Sequence, residues 1–245
     1  MTVIPIAITS DPVCPWCYIG YRRLTKAIRL YQRTYPNGSQ DTIHITWKPY
    51  FLDPDAPIQS IPYIDRMTQK LGAEKVAPSQ AHLQRLGVPD GIRFRFGGRI
   101  GNTLRAHQVI LLCERVDIEK GTDYTTGVVE GLFRKHFEEE ADITDVETLV
   151  GIVGEVSRGD GLEEGRVRRW LENGEGVEEI QEMAERARKE GIRGVPWFRI
   201  GGEGDGGRVV TLNGAQDVEE FFQALIAYKE GGRRLEEDGG VGTKC

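Results

Sequence analysis

The stretch Ser-Asp-Pro-Val-Cys-Pro-Trp-Cys-Tyr-Ile-Gly, residues 10–20, constrains this chain more than any other part of it. Before it runs an apolar, β-branched segment, VIPIAIT at residues 3–9; after it the rhythm becomes helical. Cys17, Tyr21, Leu24, Ile28 and Tyr31 recur at steps of four and three, while Arg22, Lys26, Arg29 and Arg33 mark the opposite, wet side. The expected order is a strand, a turn at Ser10-Asp11-Pro12, then a helix, with the cysteine pair at the junction. Pro5 has no N–H for a central strand and is expected at the strand's unpaired beginning. Pro36-Asn37-Gly38 stops the helix, and IHITWKPY at 43–50 alternates as a half-exposed strand does.

From about residue 58 to residue 190 helical periodicity takes over. Ala106, Val109, Ile110, Cys113 and Val116 share one face of a helix with Asn102 or Thr103 as its cap. Val128 to Phe133 predict a second helix and Leu149 to Val156 a third. Val177, Ile180, Ala184 and Ala187 predict another, closed by Gly191. Strand character returns at Trp197–Ile200 and at Arg208–Leu212, joined by GGEGDGG at 201–207, a polar hairpin connection without the Lys-Ser/Thr of a phosphate loop. Asn213-Gly214 then opens a last helix with Val218, Phe221, Phe222 and Leu225 inward. The pattern is β-α-β, a helical block, then β-β-α: an α/β sheet whose halves, 1–52 and 191–228, flank a helical insertion at 53–190. The Gly-rich, charged segment 229–245 has no apolar rhythm and is expected to be a disordered tail.

A cysteine pair this close together can be a staple, a metal knuckle or a redox centre. The N-terminal segment has neither a basic nor a long apolar region, so the expectation is a cytoplasmic protein, where a permanent disulfide is disfavoured. Zinc needs four ligands, and beyond the pair the chain has Cys113, on an apolar helix face and read as an inert core thiol, Cys245 and four scattered histidines. No metal is expected. A net charge of −6 argues against nucleic acid as a partner, and no apolar run approaches membrane-spanning length. The redox reading remains. Cys14 falls at the start of the helix, with Pro15 suited to its first turn, and free N–H groups there would lower the thiol's pKa. Cys17, one turn later and more buried, is placed to attack a mixed disulfide at Cys14.

Gly-Val-Pro-Trp at 194–197 precedes the later strand. It is either an ordinary loop proline or a cis-proline, the latter presenting the Val195 backbone to an extended thiol substrate. Trp16 and Trp197 are either core or an apolar platform around Cys14. Asp11 is an ordinary turn residue or a modifier of the thiol.

Together SDPVCPWCYIG, Val195-Pro196 and the interposed helices resemble the DsbA-like branch of the thioredoxin superfamily. NTLRAH at 102–107 and LNGAQ at 212–216 are similar to its FrnE-like oxidoreductases, relatives of kappa-class glutathione transferases and 2-hydroxychromene-2-carboxylate isomerases. The resemblance spans residues 3–228. It implies a thioredoxin fold with a helical insertion, Cys14 as nucleophile, Cys17 as resolving thiol and Pro196 in cis. Substrate contacts would fall to Pro15, Trp16, Val195, Trp197, Asn102, Gly214, Ala215 and Gln216, and Asn102 and His107 would face the cysteines. The function implied is thiol–disulfide exchange on protein or small-molecule disulfides, with no tightly bound cofactor and glutathione as a co-substrate. The transferase and isomerase relatives supply the alternative, a glutathione-dependent reaction on a small electrophile. Gly214 of their glutathione loop is present, but Ala215-Gln216-Asp217 stands where the kappa class has a hydroxyl-acid-arginine pattern.

Overall fold

A computed structural model of the chain describes residues 1–158, 162–202 and 208–231. Strand β1 (Val3–Ser10) leads to helix α1 (Pro15–Thr34), and strand β2 (Thr42–Pro49) returns parallel to β1. After the insertion come β5 (Trp197–Ile200), β6 (Val210–Asn213) and α9 (Val218–Lys229). The sheet order is β2-β1-β5-β6, with β5 antiparallel to both β1 and β6. The first sheet half thus supplies its centre and one edge, and the second half supplies the rest.

Pro5 lies inside β1, opposite His44, and not at an unpaired beginning. Its carbonyl accepts from Gly201 N–H, so its nitrogen faces the side where the β5 ladder has just ended at Ile200. The missing donor therefore falls at the end of that ladder.

Between the sheet halves run β3 (Ile61–Pro62), α2 (Tyr63–Leu71), α3 (Ala73–Gly87), β4 (Arg99–Ile100), α4 (Leu104–Lys120), α5 (Tyr124–Phe137), α6 (Val146–Ser157), α7 (Glu164–Glu172) and α8 (Val177–Lys189). The periodic runs read as helices become α4, α5, α6 and α8, and Gly191, at φ +92°, follows the last of them. The β3–β4 ribbon pairs only two residues on each side, too few for an alternating pattern to show. Lys229, assigned to the tail, closes α9 and sets its ammonium 2.8 Å from the buried Asp41. The rest of the tail from residue 232, with Cys245, and most of the 201–207 loop lie outside the described residues.

One hydrophobic core runs from the sheet (Ile6, Ile8, Phe198) through α1 (Leu24, Tyr31) into the insertion (Leu112, Phe133). Burying each such side chain is worth roughly 1.5–3 kcal/mol. Polar ties cross the same boundary. Tyr18 stacks on Phe133 at 5.0 Å and its hydroxyl donates to Glu138, while Tyr21 donates to Glu130. Asp90 accepts from both Arg23 and Lys26 of α1.

Candidate active site

Cys14 is the N-cap residue of α1, with Pro15 at the first helical position, where a missing N–H costs nothing. The turn before it is closed by Cys14 N–H donating to the Asp11 carbonyl at 2.9 Å. Cys17 lies one turn along on the inward face, and among the described residues both cysteines, like Cys113, are free thiols. Val195 and Pro196 are joined by a cis peptide bond, and the Cys14 thiol donates to the Val195 carbonyl, Sγ to oxygen 3.6 Å. Residues 181 apart in sequence thus meet where β1 and β5, central neighbours in the sheet, present their ends.

Gly20 makes that meeting possible. A Cβ there would stand 3.1 Å from Pro196 Cγ, 3.1 Å from Phe198 Cζ and 3.3 Å from Ala215 Cα. A glycine in mid-helix costs helix propensity, so a packing reason is expected, and here it is α1 pressing onto the proline and the β6–α9 turn.

The other predicted residues divide. Pro15 and Trp16 are half-buried beside Cys14, and Trp16 faces His82 of α3 at 6.4 Å between ring centroids. Val195 and Trp197 pack on a small cluster of Tyr50, Ala187 and Ile192, so Trp197 is fixed by the insertion's last helix. Gly214, at φ +84°, donates its N–H to the Pro196 carbonyl, placing its turn against the site. The Ala215 and Gln216 carbonyls accept from Arg23, and the Gln216 side chain turns back to the Asn213 carbonyl. Asp217 caps α9 with Glu219 and Glu220 in the first turn, an acidic setting that opposes a ligand carboxylate. Asn102 serves as a local cap: its side chain accepts from Leu104 N–H and its own N–H donates to Pro57. Thr103, formally the N-cap residue, makes no cap bond of its own.

The expected lowering of the Cys14 thiol is corrected. The residue is only 1% exposed, and burial pushes its thiol well above the ordinary range. The hydrogen bond and charge of Cys17 and the charge of Asp11 push the same way, against a lowering by the Cys17 N–H. The helix terminus is present, but desolvation outweighs it. Cys113, equally buried on α4, is pushed up to about 12.

Asp11 is the group that the turn reading missed. It is 1% exposed, its carboxylate accepts from Leu52 N–H at 2.8 Å, from Val13 N–H at 3.5 Å and from the Thr103 hydroxyl, and burial still raises it to about 7. His107 packs beside it, Nε2 3.9 Å from Asp11 Oδ1 and 3.1 Å from the Tyr50 carbonyl. Burial lowers His107 to about 4, so the ring is neutral. Aspartate before proline carries no sign of this, because Leu52, Thr103 and His107, which surround it, come from far along the chain.

A family model for the DSBA-like thioredoxin domain matches residues 6–226. The chain belongs to the DSBA-like thioredoxin family. Its members' fold is seen in a protein described as a probable DsbA oxidoreductase from Streptomyces coelicolor, 24% identical, with a TM-score of 0.74 over 96% of this chain and 93% of that one. The cytosolic disulfide reductase DsbM from Pseudomonas aeruginosa is 15% identical, with a TM-score of 0.58 over 93% of this chain and 100% of that one. A 2-hydroxychromene-2-carboxylate isomerase is 16% identical, with a TM-score of 0.58 over 92% of this chain and 95% of that one. Among curated proteins none matches the chain by sequence. The DSBA-like chain has no described helix long and apolar enough to cross a membrane.

Proposed function

We propose that the protein is a thiol–disulfide oxidoreductase of the reductase or isomerase type, with Cys14 as nucleophile and Cys17 as resolving thiol. The observation that carries this reading is the contact of the Cys14 thiol with the carbonyl before cis-Pro196, one helical turn from a second free thiol. An extended substrate pairing with the Val195 backbone would bring its sulfur over Cys14. The Cys14 thiolate attacks one sulfur of the substrate disulfide, and the other sulfur leaves with the electron pair. Cys17 then attacks Cys14 in the mixed disulfide, and the second substrate thiol departs.

The direction of electron flow follows from the same burial. A strong oxidant of this fold owes its potential to a stabilised reduced form, and here nothing stabilises the Cys14 thiolate enough to offset desolvation. The disulfide state is the favoured one, so the protein gives electrons. Glutathione is the co-substrate that recycles it by exchange; a DsbM structure with glutathione has the same fold, at a TM-score of 0.56. The acidic first turn of α9 argues for glutathione as a passing reactant in place of a clamped cofactor. Residues 53–190 form a domain that walls the site through His82 and His107, and the reaction belongs in the cytoplasm.

Equilibration with glutathione redox buffers, read by tryptophan fluorescence, tests the reading. The expected potential lies near the reducing end of the superfamily, about −270 mV, and not near −120 mV. Cys17→Ser should accumulate a glutathione adduct at Cys14 and lose insulin reduction, while Cys113→Ser should alter neither. Turnover of an electrophile with glutathione by Cys17→Ser, with wild-type protein inert toward disulfides, would establish the isomerase or transferase alternative instead.

A further inference from the structure

The backbone before Pro196, the ledge on which a substrate would lie, is flanked by two parts of the chain that differ in charge. On the insertion side α8 ends in Arg186, Arg188 and Lys189, and the connection to β5 carries Arg193, exposed two residues before Val195. On the other side the first turn of α9 holds Asp217, Glu219 and Glu220. Arg188 is the cation that the fold fixes in place. Its Nη2 donates to the Phe51 carbonyl at 3.1 Å, and its guanidinium lies over the Tyr50 ring, 5.5 Å from the centroid. Tyr50 packs with Ala187 and Ile192 against Val195 and Trp197, so a single aromatic ring ties this cation to the ledge. Arg188 is half-buried, yet among the described residues no carboxylate pairs with it. Glu185, one turn earlier, is taken by Lys189 at 3.3 Å; Asp53, two residues past Phe51, is held by Arg66 and Lys70. A carbonyl and a ring face orient the guanidinium but leave its charge without a counter-ion.

We propose that Arg188, supplemented by Arg193, selects disulfides that carry a carboxylate beside the reacting sulfur and turns that carboxylate toward the insertion. This rests on the reading of Cys14 as nucleophile and names a substrate class for it. A group one or two bonds from a sulfur paired over Val195 comes within about two residues, ~7 Å, of Arg193. At that range a cation partly screened by solvent favours an anion about five- to tenfold. The chain as a whole carries a net charge of −6, so its overall field disfavours an anion, and a preference for one has to come from a local cation. The acidic flank at Asp217, Glu219 and Glu220 repels the same carboxylate, which sets the direction in which the substrate lies.

Three small symmetric disulfides serve as probes: dithiodipropionate, a dianion; hydroxyethyl disulfide, neutral; and cystamine, a dication. Each reacts with the Cys17→Ser protein in one step. Cys14 gives up its proton, its sulfur bonds to one half of the probe, and the other half leaves with the electron pair of the old S–S bond and takes up a proton. The Cys14 adduct is followed by mass spectrometry, and each charged probe is scored against the neutral one. Arg188→Met keeps an apolar stem over Tyr50 and removes the charge. It should lower the dianion-to-neutral rate ratio about fivefold and raise the dication-to-neutral ratio, while Arg188→Lys, which keeps the charge, should retain most of the anion preference. Should these variants fail to fold, salt supplies the test on the Cys17→Ser protein itself. Sodium chloride at about 0.5 M should lower the dianion-to-neutral ratio where a local cation governs, and raise it where the net charge does. A ratio that Arg188→Met leaves unchanged, an equal loss in Arg188→Lys, or a dianion that salt leaves unaffected or speeds would overturn the selection alone. A Cys14 inert toward all three probes would overturn the nucleophile assignment as well.

Discussion

Gly20 carries a constraint out of proportion to its size. Its missing Cβ is the space in which α1 touches Pro196, Phe198 and the Ala215 backbone at 3.1–3.3 Å. Gly20→Ala would ordinarily favour a helix, by about 1 kcal/mol. Here the neighbours are a proline ring, a fully buried phenylalanine and backbone, none of which yields easily. Overpacking of this kind costs about 1–3 kcal/mol, so the variant should be less stable in urea despite its better propensity. If the surface it displaces is the substrate ledge proposed above, it should also weaken binding of disulfide substrates, raising KM more than it lowers kcat. An unchanged urea midpoint together with an unchanged KM would show that the contact yields without strain. Asp11 is the contrasting case: its neighbours in sequence mark an ordinary turn, and only Leu52 and Thr103, brought in from elsewhere, make it a buried acid.

At the level of elements, α1 is the shared part. One of its faces lies on the sheet, its N-terminus holds the thiols, and Arg23 and Lys26 reach Asp90 in the insertion. Arg23 also donates to the Ala215 and Gln216 carbonyls, so a single guanidinium joins the insertion to the turn beside Pro196. Asp90→Ala removes a buried acceptor and leaves Arg23 without its ionic partner. The expected loss is about 1–3 kcal/mol, with Lys26 contributing the smaller part because it is more exposed. Glutathione exchange at Cys14 should slow in the same variant, since the 215–216 turn loses its anchor; stability lost with an unchanged exchange rate would leave Arg23 a purely structural tie. Elements such as α1 and α4 were legible because each buries one continuous stripe, Leu24 to Tyr31 in the first and Ala106 to Val116 in the second. The two-residue β3 and β4 hold no stripe to read. The burial of Cys14 was illegible for a related reason: its cover comes from segments far along the chain, among them Val195.

Across the whole molecule, buried ionisable groups set how stability follows pH. His107 and His136 titrate at about 4 in the fold against 6.5 when free. Between those values the unfolded chain binds two more protons at these sites, so stability rises with pH. Asp11 works the other way: from 3.8 to about 7 the fold keeps a proton that the unfolded chain has lost. Two histidines against one aspartate leave a net rise of about 3 kcal/mol from pH 4 to 6.5. A slight fall toward pH 7 follows, where Asp11 alone still differs. Above about pH 8.5 the raised thiols of Cys14 and Cys113 ionise first in the unfolded chain and stability declines again. Urea midpoints measured across this range should therefore peak between about pH 6 and 8. Asp11→Asn should make the acid limb about twice as steep; a limb unchanged in slope would place the Asp11 proton elsewhere.

The 181-residue separation of Cys14 and Val195 also has a meaning during biosynthesis. Translation at about 5–20 residues per second puts roughly ten to forty seconds between the two halves of the site leaving the ribosome. Through that interval the nascent chain carries a finished Cys-Pro-Trp-Cys with no proline loop against it. The thiols are then ordinary ones, open to any oxidant or stray partner the nascent chain meets. Completion of the sheet by β5 closes that window, so the last strands to be made confer chemical identity on the first residues made.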